Sequence, residues 1–163
     1  MKSAALRCAM SMIVSIVAVG KVREAYIRLA CEDFRRRLQP YLRVDILEVR
    51  ASQRRDAAEA IAEEGERIMR AIQPADCVWL LDRRGTQLDS IELSVELERL
   101  LREGSRRRLI VCGAFGCSQA VRERADFLWS LSRLTFLHEW TRAIVLEQLY
   151  RAAKITRNEP YHH

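Results

Sequence analysis

The chain of 163 residues contains little lysine, histidine and proline. Three of its 28 basic residues are lysines (Lys2, Lys21 and Lys154), so arginine supplies the other 25. Arginine pairs with phosphate through two parallel hydrogen bonds and stacks on bases, and lysine does neither as well. The net charge of +6, carried almost entirely by arginine, therefore favours a nucleic-acid partner. The alternative is an ordinary solvated surface that reflects a GC-rich coding bias.

The sequence also lacks the cysteine spacings of metal sites and disulfide frameworks. Its five cysteines are an odd number, and no two of them form a CxxC pattern. Cys77 and Cys112 lie in apolar runs, as small core residues do. We therefore expect reduced thiols in a cytoplasmic protein, with no bound metal.

No apolar run is long enough to span a bilayer, so no membrane segment is expected. The stretch AMSMIVSIVAVG follows Lys2 and Arg7 and ends in small residues, which is also the pattern of a signal-peptide core. A buried parallel strand at 13–19 is favoured instead, because the cysteines are expected to be reduced thiols and because Gly-Lys follows the stretch. Residues 1–11 then form an N-terminal extension with no assigned role.

Strand patterns and helix patterns alternate along the chain. Helices are predicted at 22–38, from Asp56 to just before Pro74, from Asp89 to Gly104, and at 118–127 and 139–156. Strands are predicted at 13–19, 41–49, 77–82, 108–113 and 134–136. This order predicts a single α/β domain over residues 1–163, with a mostly parallel sheet flanked by helices.

The last helix is predicted to have two distinct faces. Its inward face carries Ala143, Leu146, Leu149, Tyr150 and Ala153, and its outward face carries Arg142, Glu147, Arg151, Lys154 and Arg157.

Three predicted strand ends carry candidate binding motifs, because ligands of open α/β sheets bind beyond the carboxyl ends of strands. These motifs are LLDRRG at 80–85, CGAFGCS at 112–118 and SLSRLTFLHEW at 130–140. Gly113 and Gly116 permit close approach of a ligand to the backbone, although an ordinary glycine turn explains them too. GxGxxG and P-loop motifs are absent.

His138 lies between a predicted strand and the last helix. There it is a candidate proton acceptor or RNA contact, or a structural hydrogen-bonding residue. A flavodoxin-like nucleotide protein is a further alternative for this pattern of elements.

The combined motifs resemble one known family. An LD pair ending one strand and a glycine turn after the next are followed by WSLSRLTF, His138, LEQLYRA and PYH. In that order and spacing they resemble the ribosomal RNA large-subunit methyltransferase H family of SPOUT-class enzymes, from Ile13 to His163. The resemblance implies a SPOUT α/β fold with a C-terminal trefoil knot, and a homodimer with its active sites at the interface.

The resemblance also implies an activity: methyl transfer from S-adenosyl-L-methionine to N3 of pseudouridine 1915 of 23S rRNA, on the assembled ribosome. The implied cofactor-binding residues are Leu81, Cys112, Gly113, Gly116, Leu131, Ser132, Arg133, Leu134, Thr135 and Phe136. The implied residues facing the RNA or the target base are His138, Arg142, Tyr161 and His162. His138 or His162 suits a base for N3, and Arg142 suits a cation that stabilises the N3 anion.

The chain departs from the family at two positions. Cys112 stands where the family usually has glycine, and Leu137 stands where it usually has proline. Both departures bear on cofactor affinity. Two other functions stay open: a SPOUT methyltransferase with another RNA target, and a non-catalytic SPOUT-like protein that binds RNA or ribosomes.

Overall fold

The structure is a computed structural model that describes residues 13–103 and 107–160, with residues 107–110 described by their backbone alone. The predicted alternation of strands and helices is confirmed over these residues. The strands are β1 (Ile13–Val19), β2 (Arg43–Val49), β3 (Cys77–Gln87), β4 (Arg107–Val111) and β5 (Phe127–Ser130). The helices are α1 (Ala25–Leu38), α2 (Ala57–Ala71), α3 (Ser90–Glu103), α4 (Gln119–Arg124) and α5 (His138–Thr156).

The described strands form one parallel sheet in the order β2-β1-β4-β3-β5. Alternate residues of β1 enter the two cores on opposite faces of the sheet, as the period of a strand requires. Val14 and Ile16 pack with helices α1, α3 and α5, and Val17 packs with α2 and α4. Helices on both faces explain why the central strands read as continuous apolar runs.

Helix starts follow the capping residues in the sequence. The Asp56 carboxylate accepts a hydrogen bond from the Glu59 N–H at 2.9 Å, at the predicted start of this helix. Asp89 and Glu92 form a reciprocal capping box, in which each carboxylate accepts from the other residue's N–H at 2.8 Å. These bonds satisfy amide groups that have no partner inside the helix.

The predicted fifth strand at 134–136 is wrong. The fifth strand is β5, four residues long, and it pairs with β3. Leu134 and Phe136 lie in the following loop with 72% and 40% of their surfaces exposed. The helix predicted at 118–127 is also shorter, since α4 ends at Arg124. Short apolar runs do not reveal by themselves whether the fold buries them.

Helix α1 packs on the core along one side, and two of its large apolar side chains are exposed to solvent. Ile27, Cys31 and Leu38 are buried, whereas Tyr26 and Leu29 are 59% and 61% exposed. The Tyr26 ring lies 6.0 Å from the ring of Trp140, which is 38% exposed. We call the pair Tyr26 and Trp140 the aromatic patch.

Over the described part of the chain, no helix combines the length and apolar character needed to cross a membrane.

Candidate active site at the carboxyl edge of the sheet

A cleft of about 620 Å³ opens where β3 and β4 end and the loop before α5 begins. We call it the first cleft. The seven sequence-predicted residues that line it are Leu81, Cys112, Gly113, Gly116, Thr135, Phe136 and His138. The cleft therefore collects residues from all three motifs at the predicted strand ends. Its volume is typical of a site for a small molecule.

Four of the predicted cofactor-binding residues do not line the first cleft: Leu131, Ser132, Arg133 and Leu134. Two of them take part in contacts within the loop. The Ser132 side chain accepts from the Leu134 N–H at 3.0 Å, and its carbonyl oxygen accepts from the Ser130 hydroxyl at 3.0 Å. Their predicted contact with a cofactor stays a prediction.

An irregularity in β3 adds residues to the first cleft that the sequence did not indicate. Trp129 of β5 lies opposite both Leu81 and Thr86, so residues 82–85 loop out of the pairing. Gly85 makes this possible, because a Cβ at that position would lie 2.4 Å from the Leu128 carbonyl oxygen. The looped residues Asp82, Arg83 and Arg84 line the cleft.

Asp82 supplies an ionised carboxylate to this cleft. Its side chain accepts hydrogen bonds from the Arg84 N–H at 2.8 Å and from the Arg122 guanidinium. Burial opposes ionisation, but these two bonds and the charge of Arg122 hold the pKa of Asp82 below its ordinary value. The terminal acid of LLD was the visible sequence signal, whereas its pairing with Arg122 joins residues 40 positions apart.

The glycine turn, residues 113–116, forms one wall of the cleft. Gly113 and Gly116 form an antiparallel bridge, and the Gly116 N–H donates to the Gly113 carbonyl at 3.2 Å. Gly116 has φ +102°, which side-chain-bearing residues rarely adopt. A Cβ on Gly113 would lie 2.5 Å from Oε2 of Glu64. Glycine is therefore favoured at 116 by the backbone conformation and at 113 by the close approach of Glu64.

A second cleft of about 760 Å³ lies on the other side of the glycine turn, at the ends of β1 and β2. Gly113, Ala114, Phe115 and His138 line both clefts. His138 is the first residue of α5 and is half-buried. It therefore lies where a molecule in one cleft would meet a molecule in the other.

Two buried carboxylates organise the loops of the second cleft, and sequence reasoning missed both. Glu64, which is 6% exposed, accepts from the Ser52 N–H at 3.0 Å through Oε1, while its buried Oε2 has no hydrogen-bond partner among the described residues. Glu139, which is 7% exposed, accepts from the Arg23 N–H at 2.9 Å. The first of these carboxylates also packs against Gly113.

The predicted position of Arg142 on the outward face of the last helix is wrong. Arg142 is 1% exposed. Its Nη2 donates to the carbonyl oxygens of Val19 and Gly20, each at 2.9 Å, and its Nη1 donates to Glu48 at 3.1 Å. The side chain turns inward because these main-chain oxygens at the end of β1 need partners. Contact of Arg142 with a target base stays a prediction, against which its burial argues.

The end of the described chain is fixed to the body of the protein. The Glu159 carboxylate accepts hydrogen bonds from Tyr41 and Lys154, both at 2.6 Å. The guanidinium of Arg157 lies 4.5 Å from the Tyr41 ring centre and donates to the Pro40 carbonyl at 2.7 Å. We call this group of contacts the tail anchor. The predicted site residues Tyr161 and His162, together with His163, lie outside the described residues.

The described part of the chain has no cluster of side chains arranged to bind a metal ion. Within residues 13–103 and 107–160, no group of three or more His, Cys, Asp or Glu side chains is placed to hold an ion.

Comparison with known proteins gives one consistent result. A family model described as "Predicted SPOUT methyltransferase" matches residues 12–162. A protein of Gloeobacter violaceus named ribosomal RNA large subunit methyltransferase H is 41% identical over 150 residues, covering 92% of this chain and 98% of the relative. Proteins of the same name from Carboxydothermus hydrogenoformans and Moorella thermoacetica are each 42% identical, over 91% of this chain and 98% and 97% of their own lengths.

Proposed function

The chain belongs to the SPOUT methyltransferase family, and from that premise we propose that it methylates N3 of pseudouridine 1915 in 23S rRNA. The methyl donor is S-adenosyl-L-methionine, and the substrate is the assembled ribosome. The first cleft is the observation that carries this proposal. It joins the glycine turn, the end of β3 and the loop before α5 in one pocket of suitable size.

The residues of the first cleft fit such a donor. Gly113 and Gly116 leave the backbone of the turn open to close approach, and Leu81 and Phe136 offer apolar surface for the adenine ring. The ionised Asp82 offers acceptors to hydroxyl or ammonium groups of the donor. The sulfonium methyl is already activated, so the task of the protein is alignment of N3, methyl carbon and sulfur in a line.

His138 is the described residue best placed to assist loss of the N3 proton. It lines both clefts, so a base in the second cleft and a donor in the first would meet beside it. A neutral imidazole is a suitable proton acceptor near neutral pH. His162 is the alternative acceptor, and Tyr161 is proposed to stack on a base. Arg142 is proposed to act as a positioning residue that holds the end of β1.

The proposed assembly is a homodimer in the cytoplasm, with a C-terminal trefoil knot and each active site completed by the partner's tail. The aromatic patch supports an interface, because exposed apolar clusters mark contact surfaces. The tail anchor supports a functional tail, since it holds the chain up to Glu159 against the body. The arginine excess supports a ribosomal RNA partner and predicts binding that weakens steeply with salt.

The test is transfer of a tritiated methyl group to ribosomes that lack this modification, followed by mapping of the methylated nucleotide. We expect transfer to intact ribosomes and little to free 23S rRNA. His138→Ala should lower kcat by about 100-fold or more, which is typical for loss of a general base. The matched control is Glu96→Gln on α3, away from both clefts. A methyl group on another RNA, or donor binding without transfer to any RNA, would replace the proposed function by one of the two rival readings.

The tail is tested separately by a deletion of residues 161–163. This deletion keeps Glu159 and therefore the tail anchor. We expect methylation to be lost while the thermal unfolding temperature stays unchanged. Normal turnover of the shortened protein would refute a role for Tyr161 and His162.

A further inference from the structure

Cys112 and Cys117 flank the glycine turn, and both line the first cleft. Because Gly113 and Gly116 are bridged through the Gly116 N–H, the two cysteines are the next pair facing each other across the turn. The bridge is isolated, but it holds the two ends of the four-residue turn together, and the side chains of Cys112 and Cys117 are close enough to hydrogen-bond. Two cysteines this close are candidates for a disulfide.

The two thiols are free and hydrogen-bonded to each other. The hydrogen bond from Cys112 lowers the pKa of Cys117 against the effect of burial, and the charge of Arg122 lowers it further. The same hydrogen bond, together with burial, raises the pKa of Cys112 well above its ordinary value. Because the thiolate is the nucleophilic form, Cys117 is the attacking sulfur of the pair and Cys112 holds the proton.

We propose that Cys112 and Cys117 are a reversible oxidation site, at which a hydroperoxide converts the thiol pair into a disulfide across the glycine turn. The Cys117 thiolate attacks the terminal peroxide oxygen, the O–O bond breaks, and the alkoxide or hydroxide leaves with a proton as alcohol or water. The Cys112 sulfur then attacks the Cys117 sulfenic acid, and hydroxide leaves as water with the Cys112 proton. The two sulfurs lose two electrons in total, and the peroxide gains them.

Oxidation at this site changes the first cleft itself. Two hydrogen-bonded sulfurs lie well beyond the S–S bond length of about 2.05 Å, so bond formation draws the two ends of the turn together. The turn carries Gly113 and Gly116, whose backbone faces the cleft. We therefore expect the oxidised protein to bind the methyl donor more weakly and reduction to restore binding. This expectation rests on the proposed function.

The other described cysteines serve as internal controls. Cys31 is buried on α1 in the core of the opposite layer, and Cys77 begins β3, at the other edge of the sheet from the cleft. Neither lines the first or the second cleft. Oxidation confined to the 112–117 pair would therefore reflect the local geometry of the turn.

The site is tested chemically without any assay of function. The purified full-length protein is treated with hydrogen peroxide, its remaining thiols are alkylated, and the protein is cut with trypsin. Cleavage after Arg108 and Arg122 leaves both cysteines in one peptide, residues 109–122. We expect that peptide to escape alkylation and to lose the mass of two hydrogen atoms, reversibly with dithiothreitol. Alkylation at both cysteines after peroxide treatment would overturn the proposal, and so would a disulfide that joins either cysteine to another peptide.

The effect on the cleft is measured by calorimetry with S-adenosyl-L-methionine on reduced, oxidised and re-reduced protein. We expect about a tenfold loss of affinity on oxidation, with recovery on reduction. Cys117→Ser should be insensitive to peroxide, and Cys77→Ser should respond like the wild type. Equal affinity of reduced and oxidised protein would overturn the effect on the cleft. Absence of donor binding by the reduced protein would count against the proposed function, while the peptide mass would still decide the oxidation site.

Discussion

The two ends of the first turn of α5 differ in how many of their polar groups have hydrogen-bond partners and in how much of their apolar surface is exposed. At Arg142, four residues into the helix, the guanidinium binds two carbonyl oxygens and a carboxylate in a buried setting. At His138 the helix opens onto both clefts, beside Phe115 at 55% and Leu137 at 56% exposure. Glu64 Oε2, below the glycine turn, has no partner among the described residues.

This difference separates scaffold from site. Buried polar groups in folded proteins are nearly always paired, and single-chain proteins rarely expose clusters of large apolar groups. On the Arg142 side, the guanidinium makes three hydrogen bonds within one chain, although its buried Nε has no partner among the described residues. The cleft side departs from these rules at several neighbouring positions, as expected of a surface that is completed by a ligand or a partner chain.

The largest effect on stability is expected from Arg142→Ala, which tests the difference between the two ends of the turn. This substitution leaves the Val19 and Gly20 oxygens and the Glu48 carboxylate without their partner. We expect the free energy of unfolding to fall by about 2–4 kcal/mol, because two main-chain oxygens lose their donor in a buried setting, whereas Glu48 is partly exposed and can be hydrated. Urea denaturation of the two proteins measures this difference.

The matched control for Arg142 is Arg70→Ala on α2. Arg70 pairs with Glu66 at 3.4 Å, four residues away, and both side chains are more than 70% exposed. Its removal should change the free energy of unfolding by about 0.5 kcal/mol or less. Similar losses for both variants would show that Arg142 is not the structural centre we infer.

A smaller effect is expected on the cleft side, at Gly113→Ala. The added Cβ would meet Glu64 Oε2, so either the Glu64 carboxylate or the turn must shift. We expect about a tenfold weaker affinity for S-adenosyl-L-methionine, about 1.4 kcal/mol, with a smaller change in stability. Calorimetry measures the affinity, and thermal unfolding measures the stability.

A double-mutant cycle sharpens this prediction. Glu64→Ala removes the oxygen that the new Cβ would meet, so the loss caused by Gly113→Ala should be smaller in the Glu64→Ala background. Coupling between contacting residues produces such non-additivity. Strictly additive losses would mean that the weaker affinity of Gly113→Ala does not arise from contact with Glu64.

The smallest effect is expected at the tail anchor, through pH. Hydrogen bonds from Lys154 and Tyr41 lower the pKa of Glu159, so its contribution to stability is fully present above the ordinary value of 4.5 and is lost as pH falls through the lowered value. Lys154 and Tyr41 have raised pKa values, the first chiefly through its bond to Glu159 and the second chiefly through burial. Their contributions are present below their ordinary values of 10.5 and 10.0 and are lost as pH rises through the raised ones.

The corresponding variant is Glu159→Gln. Its thermal unfolding temperature should lie slightly below that of the wild type at pH 7, and the two should converge as pH falls below the lowered pKa of Glu159, where the wild-type carboxyl is protonated. Lys154→Met should show the same small loss at pH 7. A difference that persists undiminished at low pH would show that the ionised form of Glu159 does not stabilise the anchor.

Local features of the chain were predictable because their causes are local. Asp56, Asp89 and the run at 13–19 fix helix starts and a strand through neighbouring residues alone. The strand at 134–136 and the outward position of Arg142 were wrong for the opposite reason. Whether Leu134 and Arg142 are buried depends on partners far along the chain, and the local pattern contains no information about them.

The candidate site shows the same division. Motifs at three strand ends indicated Gly113, Gly116 and His138, because parallel strands bring their carboxyl ends to one edge of a sheet. Glu64, Glu139 and Arg122 gave no such signal, since a carboxylate or guanidinium on an amphipathic helix usually faces solvent. Each takes part in the site through residues of another element.

By itself, the sequence determined the α/β order of the elements, their capped ends and the glycine turn, since each follows from contacts within a few residues. Only the tertiary structure decided that β3 loops out at 82–85, that Arg142 turns inward to main-chain oxygens, and that Cys112 faces Cys117. The physical reason is that backbone preferences act over one turn or one strand, whereas desolvated charges and thiols take whatever partners the folded chain brings beside them.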